Sequence, residues 1–136
     1  MRDVTELVDR YVGVWNESDA EARRRTIASI WANDGATLAK ARENCARGYE
    51  AIEARVTNAY QKWVRDAGFV FRSRNNADTH NGVVKFGWEM VPAAGGKAEA
   101  TGVNVFVLDD DGRIRVDYRL HVQRSRSGAE MKRSVA

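Results

Sequence analysis

Asp117, Arg119 and His121 alternate along one stretch of the chain, so in an extended strand they project from one face about two residues apart. In that arrangement Arg119 can hold an anionic group, while His121, with an ordinary pKa near 6.5, or Asp117 moves a proton. The same spacing also fits a surface ladder of opposite charges, worth a few tenths of a kcal/mol. Asn104 lies amid Val103, Val105 and Phe106, where an amide costs free energy unless it is hydrogen-bonded. Tyr11 falls on an apolar stripe, and its hydroxyl needs a partner. A bond between Tyr11 and Asn104 is one way to satisfy both. Trp15, Phe86, Trp88, Met90 and Phe106 either line a cavity suited to a flat apolar ligand or simply fill the core.

Other reactive residues lead nowhere in particular. His80 sits in a His80-Asn81-Gly82 turn, and the two histidines have no ligand spacing, so no metal motif is expected. Asp109 to Gly112 resembles a calcium loop only superficially, since a glutamate at the twelfth position would fall on Leu120. Cys45 lacks an adjacent basic motif that would activate its thiol. Glycine-rich phosphate loops and serine elbows are absent, and no cofactor is implied.

The 136 residues, 43% hydrophobic and 30% charged, fit one domain, read as residues 1–123 followed by a basic tail at 124–136. A single cysteine excludes an intrachain disulfide and suits a reducing cytoplasm. The formal charge of +3 raises the question of nucleic acid. Arg124, Arg126, Lys132 and Arg133 against Glu130 account for that whole excess, so residues 1–123 balance. No basic face interleaved with aromatics is evident, which argues against nucleic acid. Asp3, Glu6, Asp9 and Arg10 interrupt any secretory apolar run, and no stretch approaches the ~20 apolar residues of a membrane span.

The elements that must position these side chains follow from periodicity. Val4, Leu7, Val8, Tyr11, Val12 and Trp15 predict a helix over about residues 3–17. Ser18 and Asp19 cap a second helix, where Ile27, Ile30 and Trp31 share a face until Asn33-Asp34-Gly35 stops it. A small strand at Ala36 to Ala39 precedes a third helix, opened by Gly48 and carrying Ile52, Val56, Ala59, Tyr60, Trp63 and Val64. Beyond Gly68 the period becomes two, with strands at Phe69 to Thr79, Val83 to Val91, Glu99 to Leu108 and Arg113 to Gln123. This order predicts an α+β fold with helices on one side of an antiparallel sheet. The other side stays apolar through Val103, Val105, Val107, Tyr118 and Leu120, so a homodimer through that face is expected.

Five segments together resemble the SnoaL-like branch of the nuclear-transport-factor-2-like superfamily. They are Arg10-Tyr11-Val12-Gly13-Val14-Trp15-Asn16, Ile30-Trp31-Ala32-Asn33-Asp34-Gly35, Gly48-Tyr49-Glu50-Ala51-Ile52, Phe86-Gly87-Trp88-Glu89-Met90 and Asp109-Asp110-Asp111-Gly112-Arg113-Ile114. The resemblance spans residues 4–122 and implies a cone-shaped sheet around a long helix, a small-molecule pocket and a dimer. It places Tyr11 where the ketosteroid isomerase branch has its oxyanion-hole tyrosine, and Asn104 where that branch has a protonated aspartate. An asparagine amide also donates a hydrogen bond. The position of the branch's general base is Ala39, and the last-strand acid of cyclases and limonene-type epoxide hydrolases is Arg119. Two functions stay open: an isomerase, cyclase or dehydratase acting on an apolar carbonyl-bearing ligand without metal, or a non-catalytic ligand-binding or dimerisation module.

Overall fold

Asp3 accepts a hydrogen bond from the Thr5 amide and starts α1 (Val4–Val14), which buries Leu7, Val8, Tyr11, Val12 and Val14. Asp19 caps α2 (Ala20–Ile30) in the same way through the Ala22 amide. The computed structural model describes residues 3–124, so residues 125–136 of the expected tail lie outside the described residues.

The chain leaves α2 one residue before the expected place. Trp31 is already extended and begins β1 (Trp31–Leu38), so it is a strand residue and not part of the helical face. Asn33-Asp34-Gly35, read as a helix stop, lies inside that strand at an irregularity in its pairing. Gly35 is needed for close approach there, since a Cβ would fall 2.8 Å from the Ile114 carbonyl oxygen and 2.9 Å from the Trp31 ring. A short strand β2 (Ala46–Arg47) leads through Gly48, at φ 85°, into α3 (Tyr49–Ala59). The helix continues as a π-helical stretch, Tyr60–Asp66.

The predicted first long strand is two pieces, β3 (Phe69–Ser73) and β4 (Asp78–His80). Asn75 adopts φ 58°, and Asn76 accepts a hydrogen bond from the Gly87 amide at 2.8 Å, so the intervening residues loop over Gly87. Asn81 and Gly82, both at positive φ, turn the chain into β5 (Val83–Pro92). β6 (Ala100–Leu108) and β7 (Ile114–Arg124) follow, joined by a turn in which Asp109 accepts from the Asp111 and Arg113 amides. Arg124, expected in the tail, is the last residue of β7.

These strands form one sheet in the order β2-β1-β7-β6-β5-β3, with β4 paired to β5. The sheet is not wholly antiparallel, because β1 runs parallel to β7. One face packs against the helices through Val84, Phe86, Trp88, Met90, Ala100, Phe106 and Ile114. The fold is α+β, and no helix among the described residues is long and apolar enough to cross a membrane.

Candidate functional site

Side chains from α1 and from four strands, β1, β5, β6 and β7, meet beneath this sheet face. The Tyr11 hydroxyl of α1 donates to Asp117 Oδ2 at 2.6 Å, and Thr37 of β1 donates to the same oxygen at 2.8 Å. Asn104 Nδ2 donates to Asp117 Oδ1 at 2.7 Å and to the Tyr11 oxygen at 3.0 Å. Trp88 Nε1 completes the set by donating to Asn104 Oδ1 at 2.8 Å. Strand pairing explains the convergence. Asp117 lies opposite Phe106 on one side and beside Thr37 on the other, and Arg119 lies opposite Asn104. Phe86 and Phe106 hold Tyr11 from behind, with ring centroids 5.6 and 4.8 Å away.

Asp117 is fully buried, and Asn104 nearly so. Burial pushes the Asp117 carboxyl above the usual carboxylate range, against the opposing pull of hydrogen bonds from Tyr11, Asn104 and Thr37 and of the Arg119 charge. Burial, and then the Asp117 charge, push the Tyr11 phenol up as well. The short contact between them accommodates two proton arrangements. With Asp117 ionised, Tyr11 spends its proton on the carboxylate; with Asp117 protonated, the acid can donate to Tyr11, whose own proton is then free to turn away.

Tyr11 and Trp88 are the members of the network that reach a cavity of about 1020 Å³, large enough for a drug-sized ligand. The wall takes Trp15 from α1, Arg55 from α3, Trp63 from the π-helical stretch, Trp88 and Met90 from β5 and Arg119 from β7. Lys40, Glu43 and Asn58 are exposed at its mouth. Trp15, Trp88 and Met90 thus stand in the wall, whereas Phe86 and Phe106 lie deeper in the core.

His121 does not share the face of Asp117 and Arg119. Arg119 pairs with Asn104 and His121 with Val103, so Leu120 is an extra residue, a β-bulge. Beyond it the alternation reverses. Val122 and Arg124 pair with the buried Gly102 and Ala100, while exposed His121 pairs with the outer-face Val103 at the cavity's edge. Leu120, also expected on the outer face, is 63% exposed at the cavity rim.

Thr37, Arg55 and Trp63 escaped sequence reasoning. Thr37 is reached only through the parallel β1–β7 pairing, which leaves no local signal. Arg55 did leave one, because Arg55, Asn58 and Lys62 recur at three- and four-residue spacing along the edge of the apolar stripe of α3 and its π-helical continuation.

No protein-family model and no curated protein sequence matches the chain. Solved structures do. A candidate isomerase of the SnoaL-like family from Agrobacterium tumefaciens shares 26% identity at a TM-score of 0.73, over 86% of this chain and 97% of that one. A candidate polyketide cyclase from Sinorhizobium meliloti matches at 16% identity and TM-score 0.60, over 85% and 94% of the two chains. A protein of ketosteroid isomerase-like fold from Catenulispora acidiphila, in complex with trimethylamine, matches at 14% identity and TM-score 0.61, covering 88% and 87%. The last two likenesses speak to the fold alone. With the sheet packed on its helices, the first match supports a SnoaL-like protein of the nuclear-transport-factor-2-like superfamily as what this chain is similar to.

Proposed function

We propose that the protein binds a small, flat, carbonyl-bearing molecule with its oxygen against Tyr11 and promotes proton transfer at the adjacent carbon. The observation that carries this reading is the buried Tyr11–Asn104–Asp117 network at the wall of the cavity. In its protonated form Asp117 supports Tyr11 as a donor, which stabilises negative charge developing on a carbonyl oxygen. Acidifying the neighbouring C–H is the step that isomerisation, cyclisation and dehydration share, and the isomerase and cyclase names of the structural neighbours fit it. A second reading, a non-catalytic binder, is favoured by one specific feature. Among the described residues the only carboxylate lining the cavity is Glu43 at the mouth, and the position that the resemblance gives to the family's base is Ala39.

The two readings separate in deuterium oxide with 2-tetralone, a flat bicyclic ketone whose α-proton loss is followed by NMR. Exchange faster than in buffer is expected. Tyr11→Phe should remove most of the acceleration, since one oxyanion donor contributes roughly a hundredfold in well-built sites. Binding without acceleration supports the non-catalytic reading, and no binding overturns both.

The same reading includes a homodimer through the outer sheet face. Val83, Val107 and Val116 form one row across the strands, and Lys85, Val105 and Tyr118 the next. Val83 and Tyr118 are 38% and 40% exposed. A second copy would cover this apolar face. Val105→Glu should convert a dimeric wild type to monomer in sizing chromatography, and an unchanged elution volume would refute this interface.

A further inference from the structure

Among the described residues the cavity is lined by Lys40, Arg55, Lys62, Arg119 and Arg124 against the single acid Glu43. A domain whose charges balance in sequence therefore gathers cations around one space. Their placement is organised by indole rings. The guanidiniums of Arg55 and Arg119 lie 5.4 and 5.6 Å from the centre of the Trp15 ring, and that of Arg119 lies 5.7 Å from Trp88. Lys62 and Arg124 lie 4.7 and 5.0 Å from the Trp63 ring.

Two of these wall residues hold donors without acceptors. Among the described residues, buried donor atoms lacking a partner are Trp15 Nε1, Arg23 Nε, Trp31 Nε1 and Arg119 Nε, and Trp15 and Arg119 both line the cavity. Trp15 is itself 5% exposed. Indole and guanidinium groups can only donate, so this part of the wall asks for oxygens that the protein does not supply. Like charge adds to the demand. Burial, and next the charge of Arg119, push the Arg55 guanidinium down from its ordinary range. An acceptor-rich anion would relieve both conditions.

We infer that the Arg55–Trp15–Arg119 wall is a carboxylate subsite, and that the ligand is an aromatic or conjugated carboxylic acid carrying a second oxygen for Tyr11. The planar guanidinium fork matches a carboxylate, and the indole rings in the wall match a conjugated body. Lys40 and Lys62 at the mouth add a field that draws anions inward. This deepens the small-molecule reading above and rests on it.

The test compares 6-hydroxy-2-naphthoate with its neutral counterpart 6-hydroxy-2-naphthamide, by titration calorimetry on the full chain at pH 7. The wild type should bind the carboxylate at least about tenfold more tightly than the amide. Arg119→Gln and Arg55→Gln should each shrink that preference to less than about threefold, weakening the carboxylate more than the amide, and Arg55→Lys should restore part of it. Equal wild-type affinities overturn the carboxylate subsite but leave the pocket reading standing. A preference that survives in both glutamine variants overturns the assignment to these arginines. Failure of both ligands to bind at millimolar concentration overturns the pocket reading together with the subsite.

Discussion

Asp117→Ala should destabilise the protein by about 3 kcal/mol, read from urea unfolding midpoints at constant slope. The carboxylate accepts from Tyr11, Thr37 and Asn104 at a site with no solvent exposure. Without it the Tyr11 hydroxyl can turn to the cavity and Asn104 keeps its bond to the Tyr11 oxygen, but the Thr37 hydroxyl and one Asn104 N–H are stranded. Each stranded buried donor costs about 1–3 kcal/mol, and relief from holding a carboxyl out of water offsets part of the total. A loss below about 1 kcal/mol would mean that the network does not help hold β1, β7 and α1 together.

The same residue sets a pH dependence of definite sign. The folded carboxyl titrates above its unfolded value of about 3.9, because burial favours the neutral form. The folded state therefore binds more proton in that window. The contribution of Asp117 to stability is fully present below the unfolded value and is lost as pH rises through the folded one. Compared with Asp117→Asn, the wild type should lose stability upward from about pH 4 until the folded group has ionised, after which the difference is constant. A difference that stays flat from pH 4 to 8 would contradict the upward shift.

Gly102→Ala should be nearly as damaging for a different reason. A Cβ at this position would lie 2.2 Å from Trp88 Cζ2, 2.3 Å from Cε2 and 2.7 Å from Nε1. The indole is buried in the cavity wall and cannot swing aside cheaply. Moving it breaks the Nε1 bond to Asn104 and withdraws a ring from Arg119. Overpacking of about 1–3 kcal/mol plus one lost hydrogen bond of about 1 kcal/mol gives a loss near 3 kcal/mol, with weakened ligand binding. Gly13→Ala is the control. Gly13 is exposed in α1 with nothing within 4 Å of the added carbon, so the change should gain about 0.5–1 kcal/mol. Equal behaviour of the two variants would show that Trp88 adjusts freely.

Much of the fold was legible because its signals are local. Asp19 as a cap, Gly48 as an opener and Asn81-Gly82 as a hairpin act within a few residues of themselves, and each stands where the sequence places it. The pairing of Tyr11 with Asn104 was legible too, since two polar groups on apolar faces must find partners. What stayed hidden depends on distant pairing. Trp31 satisfies a helical period as well as it fits a strand, and only its place opposite Ile114 of β7 decides between them. Asp117 reads as a titrating partner of Arg119, yet the parallel neighbour Thr37 and the fully buried site make it a support behind Tyr11. His121 left the face of Asp117 and Arg119, for the edge of the cavity, because one inserted residue carries no mark in composition or period.

That insertion changes the numbering parity within the last strand. At Asp117 and Arg119 the odd positions face the cavity side, and from Val122 onward the even ones do. A gapless alignment with a relative that lacks the extra residue would set interior positions beside surface ones for the whole distal half of the strand. Catalytic residues could then seem to have been lost or acquired although the wall had only been renumbered. Comparison of pocket chemistry across this branch therefore has to proceed by cross-strand partner, with Asn104 and Gly102 as the fixed rungs, and not by column.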